Sequence, residues 1–298
     1  MQETKKKTKI KRGFDFLALF GFIFISIYIL SLFIPILWAL MSSLKTEDDF
    51  LYDVFGLPKQ WMFSNYKVVL FTMKTTVQVG RQTVDGYAWQ MFIYGFMYTA
   101  GCTVTAVLVP ALTAYGAARY RSFMGRTLHK LVIVCMILPI IGSLPSEMQV
   151  VKTLGFYNNM FGMFIMKGNF LGMRFLVFYA AFKGISRDYS DAANIDGAGH
   201  FTIMFKIMFP LIMPTLATMG LLAAIGLWND YSTPMLYMRD IPTIALGLFR
   251  FQYNSMQETA MPHMKLAGCI LVVIPIMIIF LIFRNKLIMN VNVGGLKG

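Results

Sequence analysis

Phe16 to Leu44 is an unbroken run of 29 residues without a charged side chain. A helix needs about 20 apolar residues to cross the hydrocarbon core of a bilayer, so this run is long enough to span one. It follows the basic cluster Lys5, Lys6, Lys7, Lys9, Lys11 and Arg12. A signal peptide carries an apolar stretch of only about 7–15 residues before a small-residue cleavage site. This run is longer and closes on Trp38-Ala39-Leu40-Met41, so it reads as an uncleaved first span. Four further uncharged runs follow: Met91 to Ala118, Leu131 to Ser146, Ile207 to Asn229 and Leu266 to Phe283. A weaker one, Met160 to Phe182, is interrupted by Lys167 and Arg174.

Six apolar runs predict an all-α polytopic membrane protein with six transmembrane helices. Composition agrees, with 57% hydrophobic and 14% charged residues. A soluble domain has roughly 45–50% and about 25%. The same figures exclude a disordered chain. Three cysteines, all within apolar runs and without metal-ligand spacing, exclude a disulfide scaffold and read as small hydrophobes.

The net charge is +13. In a soluble protein this would point to nucleic acid. Here cytoplasmic loops that collect Lys and Arg account for it, and no nucleic-acid partner is expected. With six spans, the inner segments are the N-terminus, 119–130, 183–206 and the chain after Phe283. They hold 16 Lys and Arg, against 9 on the longer outer segments 45–90, 147–157 and 231–265. The expected orientation is N-in and C-in. The expected organisation is a basic cytoplasmic N-terminus (1–13), one transmembrane unit (14–290) and a cytoplasmic tail (291–298). In the first outer loop, Trp61, Phe63, Tyr66 and Val69 could share a face of a short interfacial helix. The competing reading is an aromatic anchor without function.

One inner loop, 184–210, differs from a plain basic connector. Ser190 or Asp188 can cap a helix start. Asp191 falls in the first turn, where the helix dipole favours negative charge. Ala192 and Ala193 are good helix formers with minimal side chains. Gly197 suits the left-handed residue that stops a helix, and Gly199 adds a bend. Phe201, Phe205, Met208 and Phe209 begin a second helix that enters the membrane at Pro210. A short helix with a small-residue face suits docking against a partner; the plainer reading is a connector lying on the headgroups.

The loop reads Asp191-Ala192-Ala193, three residues, Gly197, nine residues, Ile207, one residue, Phe209-Pro210. This resembles the inner-loop motif of the permease subunits of bacterial ABC importers, Glu-Ala-Ala, then Gly, then Ile and Leu-Pro at the same offsets. Asp191 replaces Glu and Phe209 replaces Leu. The resemblance is closest to the carbohydrate branch, of the type of the maltose permease's smaller subunit. Ala114 to Tyr120 with Gly125-Arg126, Trp228-Asn229-Asp230-Tyr231 with Pro234, and Val293 to Gly298 look like further family segments. The stretch from Thr72 to Trp89 is longer than the family pattern.

The resemblance implies a coupling helix between spans 4 and 5 that docks on a cytoplasmic ATPase, through Asp191, Ala192, Ala193, Asp196, Gly197, Ile207 and Pro210. It implies a second permease subunit, two ATPase subunits, an extracytoplasmic binding protein, a carbohydrate substrate and a bacterial inner-membrane location among lipid. ATP and Mg would be held by the ATPase, with no cofactor and no catalytic residue in this chain. In keeping with that, the sequence contains neither a Gly-x-x-x-x-Gly-Lys-[Ser/Thr] phosphate loop nor His-Glu-x-x-His.

For the substrate path the candidates are Lys167, Asn169, Arg174, Trp228, Asn229 and Asp230. Charges within a bilayer face a cavity or a partner, or snorkel to an interface. In a continuous helix, Lys167 and Arg174 would share one side. An indole and an amide at 228–229 suit a sugar ring; an interfacial tryptophan belt is the alternative. An importer of a polyamine or phosphate is a second reading. An ion-coupled carrier is a third, but no internal repeat and no central acidic residue supports it.

Overall fold

A computed structural model describes residues 16–79, 82–120, 123–138, 142–253 and 261–291. The expected N-terminal segment 1–13 and nearly all of the tail lie outside them. The chain opens with α1 (Phe16–Ser43), then two short helices, α2 (Glu47–Tyr52) and α3 (Ser64–Thr72). A β-hairpin follows, β1 (Lys74–Val79) paired antiparallel with β2 (Gln82–Tyr87), Val77 opposite Val84. Next come α4 (Ala88–Arg119), α5 (Phe123–Ile137), α6 (Leu144–Thr153), α7 (Met160–Lys167), α8 (Met173–Gly184) and α9 (Asp188–Ile195). Then follow α10 (His200–Leu211), which contains a π-helical stretch over Ile203–Met208, and α11 (Met213–Trp228). The last are α12 (Ser232–Tyr237), α13 (Ile244–Tyr253) and α14 (Pro262–Val291).

Helices dominate, as the apolar runs predict. The all-α expectation needs one correction. The stretch that runs longer than the family pattern is the hairpin, and its alternating Thr-Val-Gln-Val sequence is the strand signal. The expected interfacial helix begins only at Ser64. Val69 is buried, while Trp61 and Phe63 are exposed outside that helix.

Among the described residues, α1 from Ala18, α4 and α14 to Phe283 are each long and apolar enough to cross a membrane. α10 and α11 meet the same test together, bent by 73°. Pro210 and Pro214 flank the bend, and each lacks the N–H that would continue the helical ladder. The expected fourth span is broken. α7 ends at Lys167 and α8 starts at Met173, because Gly168 and Gly172 bracket a turn in which Asn169 Oδ1 accepts the Leu171 N–H at 2.8 Å. The expected third span is the 15-residue α5, and Glu147 and Lys152 fall on the separate α6.

α4 is the central helix, packed on α7, α8 and α11. Its buried face joins Tyr98 and Cys102 to Phe175, Phe178 and Phe182 of α8 in the main core. A second core joins Val69, Met73, Met91 and Trp228 to Ala267 and Val272 of α14. α1 packs on α14 and leaves most of its apolar side chains exposed. Such a belt suits lipid contact rather than water.

Candidate functional site

The motif loop forms α9, a turn and α10. The cap position is Arg187, which makes no side-chain capping bond, and the expected Ser190 and Asp188 both lie inside the helix. Ser186 Oγ accepts the Asp188 N–H at 3.3 Å and donates to Asp188 Oδ2 at 2.8 Å. Asp188 and Asp191 sit in the first turn, where the dipole favours them. The far end is closed by Gly197 at φ +75°. The Gly197 N–H donates to Asn194 O at 3.0 Å and the Ala198 N–H to Ala193 O at 2.9 Å. These are the two bonds of a Schellman stop. Nothing lies within 4 Å of a Cβ placed on Gly197, so the backbone angle selects glycine here.

The motif residues divide between two faces. Asp191, Ala192, Asp196 and Gly197 are exposed. Ala193 is 7% exposed and packs into the chain's own core, and Ile207 packs against the same core. Pro210 stands beside the bend. The two alanines therefore do different work: Ala193 brings α9 close to α10, and Ala192 faces outward. Exposed Tyr189, Ile195, Phe201 and Phe205 surround this surface. Phe201 and Phe205 are the residues expected in the second helix; Tyr189 and Ile195 extend the apolar surface onto α9 itself.

The substrate-path candidates also divide. Lys167, at the end of α7, reaches Asp230 Oδ2 at 3.0 Å and Thr233 Oγ1 at 2.9 Å. Tyr98 of α4, fully buried, donates its hydroxyl to the same Oδ2 at 2.8 Å. Asp230 Oδ1 accepts from Ser232 Oγ at 3.1 Å and the Thr233 N–H at 3.0 Å. This network ties α4 and α7 to the chain just after α11. Tyr98 and Thr233 carry no sequence signal beyond their residue type, because 132 positions separate Tyr98 from Asp230.

Arg174 is not part of it. The break after Lys167 puts Arg174 on a different helix, so the two cations do not share a helical face. Asn169 is exposed and spends its carbonyl on the turn. Trp228 is 2% exposed, donates its indole N–H to Val272 O at 3.0 Å and lies 4.8 Å from the Phe96 ring. It is a core element here, neither an open platform nor a belt anchor. Asn229 is exposed and donates back to Ile225 O at 2.8 Å.

The chain is a helical bundle with a bent helix pair, a broken helix and a short, exposed motif helix. Solved structures agree on the fold. A chain of a bacterial ABC transporter that imports the acidic polysaccharide alginate superposes with a TM-score of 0.74 at 24% identity, covering 90% of this chain and 95% of that one. Residues 106–292 match the family described as the binding-protein-dependent transport system inner membrane component, and the chain belongs to that family. Among curated relatives, the probable ABC transporter permease YurM of Bacillus subtilis is 26% identical over 93% of this chain and 87% of its own. The arabinooligosaccharide permease AraQ of the same species is 29% identical over 92% and 94%. The diacetylchitobiose uptake permease NgcG of Streptomyces coelicolor is 24% identical over 88% and 83%.

Proposed function

We propose that this chain is a permease subunit of a bacterial ABC importer that moves an oligosaccharide across the inner membrane. The observation that carries the proposal is α9: a short helix, stopped at its far end by Gly197, with the motif's exposed residues on one face of a family member. Sugar specificity is supported by the substrates for which several relatives are named, arabinooligosaccharides and diacetylchitobiose among them. α9 is the coupling helix. Asp191, Ala192, Asp196 and Gly197 meet a cytoplasmic ATPase, which holds ATP and Mg, while Ala193, Ile207 and Pro210 fix the helix to the bundle.

In this proposal the chain spans the membrane six times, with both termini in the cytoplasm. It pairs with a second permease subunit, two ATPase subunits and an extracytoplasmic binding protein. ATP binding closes the ATPase pair and draws the coupling helices together. The bundle opens outward by rigid-body rocking, the sugar enters from the binding protein, and hydrolysis resets the assembly. The bend between α10 and α11 transmits α9's movement to the membrane.

Gentle-detergent isolation of the tagged chain with mass spectrometry tests the assembly. Proteoliposome uptake of labelled oligosaccharides with enclosed ATP tests the activity. Recovery of a second permease and an ATPase, with ATP-dependent uptake, is expected. Uptake by the chain alone, driven by an ion gradient, would refute the proposal.

A further inference from the structure

Two depressions share a wall residue, Tyr120, just past the end of α4. The first is a polar pocket of about 160 Å³ whose walls include Arg119, Arg187, Ser190, Asn194 and His200. Asp191 is the one acidic side chain among its described lining residues, so two guanidinium groups face a single carboxylate. Among the described residues neither arginine forms an ion pair. Arg119 contacts Ser186 O at 3.4 Å and Met208 Sδ at 3.1 Å, and its Nε is buried without an acceptor. An orphaned buried donor is rare in folded proteins, and guanidinium groups make their strongest bonds to phosphate or carboxylate.

The second depression is a groove of about 540 Å³ between the end of α4 and α5, walled by Gly116, Ala117, Met124, Leu128 and Leu131. Its two threonines turn their hydroxyls onto their own helices. Thr113 donates within α4 to Val109 O at 2.9 Å or Pro110 O at 3.0 Å, and Thr127 within α5 to Phe123 O at 3.0 Å. The groove is therefore apolar in effect. Nothing stands within 4 Å of a Cβ placed on Gly116, which leaves the space above it open. Tyr120 lines both depressions.

We propose that this composite site holds one anionic phospholipid of the inner leaflet, its phosphate between Arg119 and Arg187 and an acyl chain in the groove. Basic pockets beside membrane helices on the cytoplasmic side are the usual sites for anionic headgroups. A free phosphate would use only the polar half. A lipid would use both depressions that Tyr120 lines, and that selects the lipid. The site lies against α9, so an occupied headgroup would brace the helix assigned above to coupling. The inference rests on the orientation proposed above, which labelling of Arg187→Cys from one face of the membrane reads separately.

The test exposes the full-length chain in mild detergent to equal amounts of phosphatidylglycerol and phosphatidylcholine, and counts bound lipid by native mass spectrometry. The wild type should keep one phosphatidylglycerol with about fivefold preference. Arg187→Gln, at an exposed position that cannot disturb the core, should lower that preference severalfold. Arg119→Gln with Arg187→Gln should abolish it. Gly116→Leu, which fills the groove, should reduce retention of both lipids. Equal retention of the two lipids by the wild type, or an undiminished preference in the double variant, would overturn the proposal. So would protection from heat by inorganic phosphate equal to that by phosphatidylglycerol. Loss of the bound lipid when the ATPase joins would also overturn it and assign the pocket to a partner's carboxylate.

Discussion

The chain places cations in two very different settings. Lys167, at the broken fourth span, is held by Asp230 and Thr233, and Asp230 also accepts from Tyr98, Ser232 and the Thr233 N–H. Every strong polar group there has its partner within the chain. Arg119 and Arg187, beside α9, face one pocket without an ion pair among the described residues, and the Arg119 Nε has no acceptor. Buried polar groups that are satisfied internally fix a fold, whereas an unsatisfied one keeps bonding capacity for a ligand, water or partner. The first region is internally paired. The second is left open at the face proposed to meet the ATPase and the lipid headgroups.

That contrast predicts where substitutions do harm. Trp228→Ala, two residues before Asp230, removes a buried indole and its hydrogen bond to Val272, and should cost about 3–5 kcal/mol of stability. A melting shift in detergent measures it; a variant that melts like the wild type would mean the indole is not a core element. Asp230→Ala comes next. It leaves Lys167 partly buried without its counter-charge, which costs up to about 3–5 kcal/mol for a fully buried pair. Lys167 keeps 31% side-chain exposure, so the loss should fall well below that. Adding Lys167→Met should restore part of the melting temperature. No rescue would show that Lys167 and Asp230 act separately.

In the open region the pattern should invert. Gly197→Val forces a β-branched residue to φ +75°, a strain of about 1–2 kcal/mol and so roughly tenfold in the population of the stopped helix. The bundle should insert and melt nearly as the wild type does, while ATP-driven uptake falls about tenfold. Wild-type uptake would break the contrast. Smallest of all is Lys74→Ala on the hairpin. Lys74 and Asp85 form a 2.7 Å pair with both side chains exposed. The hydrogen bond from Lys74 to the Asp85 carboxylate raises the lysine's pKa, so whatever the pair contributes is present at neutral pH and fades only as pH rises through that raised value. Exposed pairs contribute little, and the melting temperature should not move measurably.

The sequence made the regular parts legible. Phe16–Ser43 and the central helix through Arg119 follow from uncharged runs longer than a bilayer requires. Gly197 could be read as a left-handed stop because glycine alone takes that backbone angle without strain. The breaks were harder. Gly168 to Gly172 lie inside an apolar run, and hydropathy averages over the turn that Asn169 makes. The 73° bend needs two prolines four positions apart, while the sequence reading saw only Pro210 as the point of entry. Trp228 reads the same in a core as at an interface, since what decides is Val272 on a helix 44 residues away. The small-residue pair showed that α9 packs closely, but not that Ala193 turns inward and Ala192 outward.

The outward turn of Ala192 offers the most direct test of the coupling role. Single cysteines at Ala192 and Ala193, placed in the assembled importer with the three native cysteines replaced by serine, would be treated with a short thiol cross-linker. Position 192 should cross-link to the ATPase with a yield that changes when ATP binds, and position 193 little or not at all. An ATPase cross-link from neither position, in an assembly that still imports sugar, would contradict the assignment of α9 as the coupling helix.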